Sequence, residues 1–340
     1  MPFFSHIKDK IAEKVSGHHH GHPSDQDRPS PAFAPPEWSA APEESHTWGL
    51  FAEATTDEYQ RAEAYCTAFP LKEPRLLTQD VVEWIGKYGC GAWSLLPPAS
   101  HRFRGLIYGV DVTNEKHNGT IKVSIERDCQ SVCLLSNYPI MGGLYDIQGK
   151  SGVYYEVKVE RMAKGAVISV GSACQPYPNW RHPGWNRASS ALHLDDLRKF
   201  YEDPDGGRDY DTKGVLTVGT FQNQLRRGPV VIGFGYEFAS GATFYTFNGN
   251  PLPEAFRGLY MPRNRYDVYA AIGVEGDCKF EVNFGAGKDG FLWKEGNEWA
   301  WRIEGHVGRF SQSNSYSQMP VPGGGSGSRG DDEQLPAYDA

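Results

Sequence analysis

The stretch GVYYEVKVERMAKGAVISVGSACQPYPNWRHPGW, residues Gly152–Trp185, decides the fold of this chain. Its first half alternates between the two sides of an extended strand: one side carries Val153, Tyr155, Val157 and Val159, and the other carries Tyr154, Glu156, Lys158 and Glu160. A hydrophobic period of two is typical of a strand that buries one face. We therefore expect this strand to lie in a sheet with one side on the core and the other toward solvent.

A second strand and a stiff loop follow. The apolar run Ala166–Val170 is short enough for a strand and is ended by Gly171. The next loop is dense in proline and aromatic residues: Pro176, Tyr177, Pro178, Trp180, Pro183 and Trp185. We call residues Pro176–Trp185 the Pro/Trp loop. Because proline restricts the backbone and large rings pack firmly, the loop is expected to hold a shape rather than to move protons.

Composition limits the class of protein. The chain of 340 residues is 39% hydrophobic, which is enough for a sizeable core in one large domain or two small ones. A net charge of -8 disfavours a broad nucleic-acid surface, which needs clustered Lys and Arg. Six cysteines without paired metal-ligand spacing are typical of reduced thiols. Without a membrane-spanning apolar run or a secretory signal, a cytoplasmic protein is expected.

From Phe103 onward, short apolar runs alternate with turns. The predicted strands are Leu106–Val112, Thr120–Ile125, Ser131–Leu135, Val153–Val159, Ala166–Val170, Ala188–His193, Val230–Phe238, Thr243–Phe247, Val268–Val274 and Cys278–Phe284. A helical turn is expected in Leu194–Tyr201 and a solvated acidic loop in Glu202–Asp211, while Asn248–Asn250 predicts a tight hairpin. Many short strands separated by turns indicate an all-β fold, an antiparallel β-sandwich.

The chain divides into four predicted parts. These are a disordered N-terminal segment (1–45), a helical extension that packs on the sandwich (46–100), the β-sandwich (101–307) and a disordered C-terminal tail (308–340). Thr55–Tyr65 favours one helix, and Thr78 is placed to cap a second that ends at Gly89. Residues 1–15 carry apolar side chains at helical spacing, which indicates either a peripheral membrane contact or a terminal helix that frays or docks.

These strands and loops resemble the SPRY family, a concanavalin-like β-sandwich of two antiparallel sheets that binds proteins. The resemblance is carried, in family order, by SNYPI (136–140), GVYYEVKV (152–159), PYPNWRHPGW (176–185), ALHLDDLRKF (191–200), VIGFGYEF (231–238), ATFYTFNGNPL (242–252), AFRGLYMP (255–262) and VYAAIGVEGDCKFEVNFG (268–285). Together these stretches span about half of the chain. The resemblance implies a non-catalytic binding module whose loops hold a target protein.

The Pro/Trp loop and the C-terminus narrow the resemblance. The loop is similar to that of fungal SPRY adaptors that carry cargo to HECT-type ubiquitin ligases and act in endosomal and vacuolar sorting. Those adaptors bear short PY motifs that WW domains bind, and LPAY fits the Leu-Pro-x-Tyr variant through Leu335, Pro336 and Tyr338. Pro336 favours the extended backbone that aromatic WW grooves accept. The resemblance thus implies a WW-domain ubiquitin ligase as a second partner.

One feature departs from those adaptors. They are anchored by an N-terminal transmembrane helix, and this sequence shows no such segment. Either residues 1–15 substitute for the anchor, or the protein is a soluble relative. We therefore expect a cytoplasmic protein that is soluble or lies peripheral to endosomal or vacuolar membranes.

The family resemblance also implies a binding rim at the loops. Its expected residues are Tyr138, Pro139, Tyr177, Trp180, Arg181 and Trp185, of the types that dominate interface hot spots. Alternatively, a tryptophan of the loop plugs the open end of the sandwich. We expect a division, with Trp185 directed inward and Trp180 with Arg181 nearer the surface.

Catalytic motifs are not apparent in the sequence. It contains no Gly-x-Ser-x-Gly elbow, His-Glu-x-x-His, Walker loop or dinucleotide fingerprint, so no catalytic residue, cofactor or metal is predicted. His182 and His193, with Asp195 and Asp196, could do acid–base work, but an Asp-rich turn after a strand is more often a solvated scaffold, which is the favoured interpretation. Two other functions stay open: a SPRY scaffold or regulatory subunit without a ubiquitin role, and an enzyme or lectin-like binder on the same sandwich.

Overall fold

The structure, a computed structural model, describes residues 55–109, 119–259 and 266–306. Within these ranges it contains the strands β1 Leu95–Leu96, β2 Gly105–Tyr108, β3 Thr120–Ile125, β4 Val132–Ser136, β5 Gly152–Met162, β6 Val167–Cys174, β7 Ser189–His193, β8 Arg198–Tyr201, β9 Arg208–Asp209, β10 Val230–Glu237, β11 Ala242–Phe247, β12 Asn250–Phe256, β13 Val268–Glu275 and β14 Cys278–Asn283. The segment 1–15 and the LPAY motif lie outside the described residues.

Three α-helices accompany these strands in the described ranges: α1 Thr56–Ala68, α2 Gln79–Tyr88 and α3 Val218–Arg227. The two predicted helices are confirmed, and Gly89 with a φ of 55° ends α2. The sequence analysis missed α3. The sequence does contain a start signal for α3, the N-cap residue Thr217. Its side chain accepts a hydrogen bond from the Thr220 amide.

The described strands form two antiparallel sheets of seven. One sheet has the order β1-β4-β13-β6-β7-β8-β9 and the other β12-β11-β10-β5-β14-β3-β2, and all pairs are antiparallel. The main hydrophobic core lies between the two sheets. Tyr155 of β5 crosses it, because its hydroxyl donates to the Gly171 carbonyl of β6 at 2.6 Å. The predicted antiparallel sandwich is confirmed.

Strand β5 differs from the prediction of one buried face. Val153, Tyr155 and Val157 face the core as expected, but Tyr154 and Glu156 on the opposite face are buried too. The reason is a 3-10-rich segment, residues 291–303, that covers this outer face. The Tyr154 ring packs against Phe291 and Trp293, with ring centroids 4.9 and 4.7 Å away.

Glu156 joins that covering segment to the sheet. Its carboxylate accepts hydrogen bonds from the amides of Leu292 and Trp293, both at 3.1 Å, and from the Tyr154 hydroxyl at 3.0 Å. Burial raises the pKa of the Glu156 carboxyl, and the two backbone amides act in the opposite direction. A position predicted to face solvent is therefore a buried anchor for a chain segment that lies far away in sequence.

Two further local predictions are wrong. Strand β6 does not end at Gly171 but continues to Cys174. Gly171 is needed within the strand because any side chain there would collide with the Ser190 carbonyl of β7, so glycine allows the two strands to pair closely. Leu194–Tyr201 contains strand β8 rather than a helical turn. The chain reverses at Leu197, with a φ of 59°, and Lys199 then pairs with Leu192 of β7.

The predicted hairpin between β11 and β12 is confirmed. Asn248 and Gly249 have φ values of 49° and 79°, the left-handed pair that a tight two-residue turn needs. The Asn248 side chain also accepts a hydrogen bond from the Val231 amide at 2.9 Å, which ties the turn to β10. None of the helices in the described ranges has the length and apolar character to cross a bilayer.

Candidate functional site

The Pro/Trp loop connects β6 to β7 and is closed on itself by hydrogen bonds. Tyr177, only 5% exposed, donates its hydroxyl proton to the His182 carbonyl at 2.6 Å and accepts from the Asn186 amide at 3.3 Å. The Ser189 hydroxyl accepts from the Gly184 amide at 2.8 Å. These bonds fix the loop from inside, so the expected rigid loop is present, with Tyr177 as an internal strut.

Arg181 does not lie near the surface, and that expectation is wrong. The residue is 1% exposed, its Nε donates to the Asn186 side-chain oxygen at 2.9 Å, and its guanidinium lies 4.4 Å from the centroid of the Trp185 ring. A flat guanidinium stacks on an aromatic face when both are removed from water. Trp185 is directed inward as expected, at 3% exposure.

Trp180 is a half-buried residue of the loop, and helix α1 lies against it. The Arg61 guanidinium lies 5.4 Å from the centre of the Trp180 ring, and the Tyr65 ring meets it edge-on, with centroids 5.4 Å apart. The Glu63 carboxylate accepts a hydrogen bond from the Asn186 side chain at 2.9 Å. The helical extension therefore packs on the loop itself.

Arg187, just after the loop, holds the end of α1. Its guanidinium donates to the carbonyl oxygens of Cys66 and Phe69, and to the Pro176 carbonyl at 3.1 Å. Asn186 and Arg187 were not singled out from the sequence. Their position directly after the Pro/Trp loop was the available signal, but nothing local indicates a helix as their partner.

Tyr138 and Pro139 lie beside a different surface. Tyr138 lines a cavity of about 340 Å³ together with Trp84 and Trp93, and its ring is 5.9 Å edge-on from Trp93. The Trp93 indole donates to the Pro139 carbonyl at 3.2 Å. Pro139 also borders a second cavity of about 220 Å³ that Gln175, next to the loop, helps to line. The expected rim is thus divided between an aromatic cavity and the loop under α1.

The two histidines weighed for acid–base work are buried. His182 is 1% exposed, its Nδ1 lies 2.8 Å from the Ser169 hydroxyl, and its Nε2 lies 4.0 Å from the Glu275 carboxylate. Burial lowers the pKa of His182 well below its usual value and that of His193 to about 4. Because Ser169 is fully buried, the hydrogen-bonded Ser169–His182 pair is a structural contact behind the loop, and the Glu275 carboxylate lies too far from Nε2 to complete a hydrogen-bonded triad.

The acidic segment Glu202–Asp211 is not simply a solvated loop. The Asp203 amide donates to the Gly184 carbonyl of the Pro/Trp loop at 2.9 Å, and the Glu202 carboxylate accepts from the Ala188 amide. Tyr210 is buried, and Arg208–Asp209 pairs with β8 as the edge strand β9. This segment therefore supports the loop through Gly184 and Ala188.

In the parts of the chain that the structure describes, no group of three or more His, Cys, Asp or Glu side chains could hold a metal ion. The six cysteines are free thiols. Burial alone raises the pKa of the Cys133 thiol, and burial is the largest cause of the raised pKa of Cys90 and Cys278. Leu335, Pro336 and Tyr338 lie outside the described residues, so their binding role stays a prediction.

Comparison with known proteins identifies the domain. Residues 152–287 match the family model of the SPRY domain. A SPRY domain-containing protein of Schizosaccharomyces pombe is 29% identical over 218 residues, which are 63% of this chain and 50% of the relative. The ssh4 protein of Sclerotinia sclerotiorum is 27% identical over 286 residues, which are 82% of this chain and 46% of the relative.

The chain spans about half the length of the curated relatives that it matches. Among solved structures, a crystal structure of a human SPRY domain aligns with 48% of this chain and 90% of its own, at 21% identity and a TM-score of 0.33.

Proposed function

Because the chain carries a SPRY domain and is a distant homologue of the fungal Ssh4 proteins, we propose that it is a non-catalytic adaptor. In this proposal the loops of the SPRY domain hold a target protein, and the LPAY motif recruits a WW-domain ubiquitin ligase of the HECT type. The adaptor acts in the cytoplasm, at or near endosomal or vacuolar membranes, in the sorting of its target.

One combination of features carries the proposal. The same chain has a Pro/Trp loop held rigid at one end of a β-sandwich and, at residues 335–338, a Leu-Pro-Ala-Tyr sequence. A rigid loop loses little conformational entropy on binding, so its contacts translate efficiently into affinity. A short linear motif binds a separate module independently. Two partners could then be held at once.

Two surfaces in the described residues suit the target, and the second of them is partly covered by α1. One is the aromatic cavity of Trp84, Trp93 and Tyr138, whose volume of about 340 Å³ suits one or two side chains of a partner. The other is the outer edge of the loop at Trp180. Tyr177, Arg181 and Trp185 support the loop from within and act on the target through the position of Trp180.

The tail motif supports the ligase half by its chemistry. Pro336 restricts the backbone to the extended form that WW grooves bind, and Tyr338 offers a ring with a polar hydroxyl. Asp331, Asp332 and Glu333 precede the motif and favour its solvation.

Titration of the full chain with isolated WW domains from HECT-type ligases tests the ligase half. We expect saturable binding that Tyr338→Ala abolishes, while Tyr316→Ala, a change of the same kind in the same tail but outside the motif, leaves the affinity unchanged. Equal binding by the two variants, or no binding by the wild type at high micromolar concentration, would remove the ligase from the proposal.

A further inference from the structure

We propose that α1 is a displaceable occupant of a helix-binding surface on the SPRY domain, and that an acidic helix of the target protein takes its place there. We call this surface the seat: Arg102, Trp180, Asn186 and Arg187. The inference rests on the proposed function, because it states which kind of partner the Pro/Trp loop binds and how access to the loop is controlled.

The acidic side chains of α1 bind to the seat. Arg102 forms an ion pair with Glu58 at 2.6 Å, and the Asn186 side chain donates to the Glu63 carboxylate at 2.9 Å. Glu58 and Glu63 are five positions apart on one helix. A partner helix with carboxylates at the same spacing would meet the same two donors.

The seat also binds the backbone at the end of the helix. Arg187 donates to the carbonyls of Cys66 and Phe69, where α1 ends. The last carbonyls of any α-helix lack partners within the helix and carry its negative dipole end, so a cation is favourable there. This contact does not depend on the side chains of α1. The seat can therefore accept a foreign helix that ends at the same place.

Helix α1 is not part of the hydrophobic core. Of its 13 residues, all within the described ranges, only Ala62 is buried, and none belongs to or packs against the main core cluster. By contrast, Val81, Trp84 and Ile85 of α2 do pack there. Elements with few buried apolar contacts open at low free energy. Helix α1 can therefore leave the seat while the sandwich stays folded.

The fit between α1 and the seat is incomplete. In the described structure the indole nitrogen of Trp180 and the Nε of Arg187 are buried without a hydrogen-bond acceptor. A buried donor without a partner is unfavourable, because it has lost its hydrogen bonds to water. A target that brings acceptors to these two donors would bind the seat better than α1 does, and this difference would allow displacement.

Amide hydrogen exchange on the full chain gives the first test. We expect the amides of α1 to exchange at least about a hundredfold faster than those of β5 and β10, because α1 opens without global unfolding. Exchange of α1 only at the rate of the core strands would show that the helix is an integral part of the domain, and would overturn the proposal.

A competition experiment gives the second test. The probe is a labelled peptide with the sequence of residues Thr55–Lys72, which carries every α1 contact described above. The variant Arg61→Ala/Glu63→Ala/Tyr65→Ala removes three α1 side chains that reach the seat but leaves the seat intact. The control Gln60→Ala/Thr67→Ala changes two exposed positions of the same helix. Alanine favours helix at all five positions.

We expect the triple variant to bind the probe at least about tenfold more tightly than the wild type or the control, because the tethered helix no longer competes at high effective concentration. Adding Trp180→Ala to the triple variant should reverse the gain. Equal behaviour of wild type, triple variant and control, including equal absence of binding, would overturn the proposal. WW-domain binding through Tyr338, measured on the same proteins, should not change, which separates a failure of the seat from a failure of the adaptor.

Discussion

Arg181 and Trp185 form a stacked pair in the interior of the Pro/Trp loop, with the guanidinium carbon 4.4 Å from the ring centroid and both residues at most 3% exposed. An arginine so deeply buried is uncommon, because removing its charge from water is costly. The Arg181 side chain fills the interior of the loop, where a smaller side chain would leave a cavity. Because Trp180 precedes Arg181 in the chain, we infer that the stacked pair fixes the position of Trp180 beneath α1.

Truncation of Arg181 should destabilise the domain. Arg181→Ala removes the stack on Trp185 and the hydrogen bond to Asn186, and leaves a cavity, so we expect a loss of about 3 kcal/mol in the free energy of unfolding. Arg181→Lys should recover only part of it, since an ammonium cannot reproduce the flat stack. Urea unfolding measures the change, and Arg226→Ala, at an exposed position, should alter it by less than about 0.5 kcal/mol. An Arg181→Ala protein as stable as wild type would contradict this description of the loop.

Loss of the Glu156 carboxylate should free the segment that covers β5. Glu156→Ala leaves the amides of Leu292 and Trp293 without their acceptor, the second of them in a buried position, and we expect a cost of about 3 kcal/mol in unfolding free energy. Glu156→Gln keeps one acceptor oxygen and should cost about half as much. Thermal unfolding followed by tryptophan fluorescence would report it, because Trp293 lies in the affected segment. Similar stabilities for the Ala and Gln variants would argue against the anchoring role.

A methyl group at Gly273 should disturb the packing of the Pro/Trp loop on its sheet. A Cβ there would lie 2.2 Å from the Ser169 hydroxyl, 2.3 Å from His182 Nδ1 and 2.8 Å from the Pro183 ring. We expect Gly273→Ala to cost about 2 kcal/mol through overpacking. Gly86→Ala in α2, where a Cβ meets nothing within 4 Å, should instead be neutral or stabilising. Differential scanning calorimetry of both variants compares the two sites, and equal melting temperatures would count against the contact.

The pH dependence of stability should reveal the buried histidines and Asp195. The folded protein keeps His182 and His193 neutral, with the pKa of His193 lowered to about 4, whereas the unfolded chain protonates them below about pH 6.5. Their contribution is therefore lost as the pH falls from about 6.5 to 4. Burial, with the nearby Asp196 charge, raises the pKa of Asp195 to about 7, so the contribution of Asp195 is complete below about pH 4 and is lost as the pH rises.

The variant Asp195→Asn separates the pH effect of Asp195 from the opposite effect of the two histidines. Without the proton that Asp195 takes up on acidification, stability should fall more steeply between about pH 6.5 and 4.5, by up to about 1.4 kcal/mol per pH unit relative to wild type. Urea unfolding at about pH 5, 6 and 7 gives the two slopes. Parallel profiles for the two proteins would show that Asp195 titrates in the folded state as it does in the unfolded chain.

Local pattern was sufficient for much of the fold. Strand β3 was predicted at its observed bounds, because Ile121, Val123 and Ile125 alternate with polar residues and are the buried positions in the structure. The Asn248–Gly249 turn was predicted for a similar reason, since few residues adopt its left-handed backbone readily. Both features depend on residues that are neighbours in the chain.

The missed features depend on distant parts of the chain. Tyr154 and Glu156 were expected in solvent because the segment that covers them, around Trp293, follows more than a hundred residues later. Arg181 was expected near the surface because the sequence does not show that the loop folds back on itself. That closure brings the Arg181 guanidinium against Asn186 and Trp185 in the interior. The packing of α1 on the Pro/Trp loop was missed because it depends on ring and cation–π contacts with Trp180 and on hydrogen bonds from Arg187, none of which leaves a hydrophobic pattern along α1.

The proposal that one chain holds a target and a ligase at separate places is tested most directly by quantitative affinity purification from cells that express the full chain. Wild type and Tyr338→Ala would be compared under identical conditions. We predict that a WW-domain HECT ligase is recovered with the wild type and lost from the variant, while at least one other partner is recovered equally with both. Recovery of the same ligase with Tyr338→Ala, or loss of every partner together, would contradict the account.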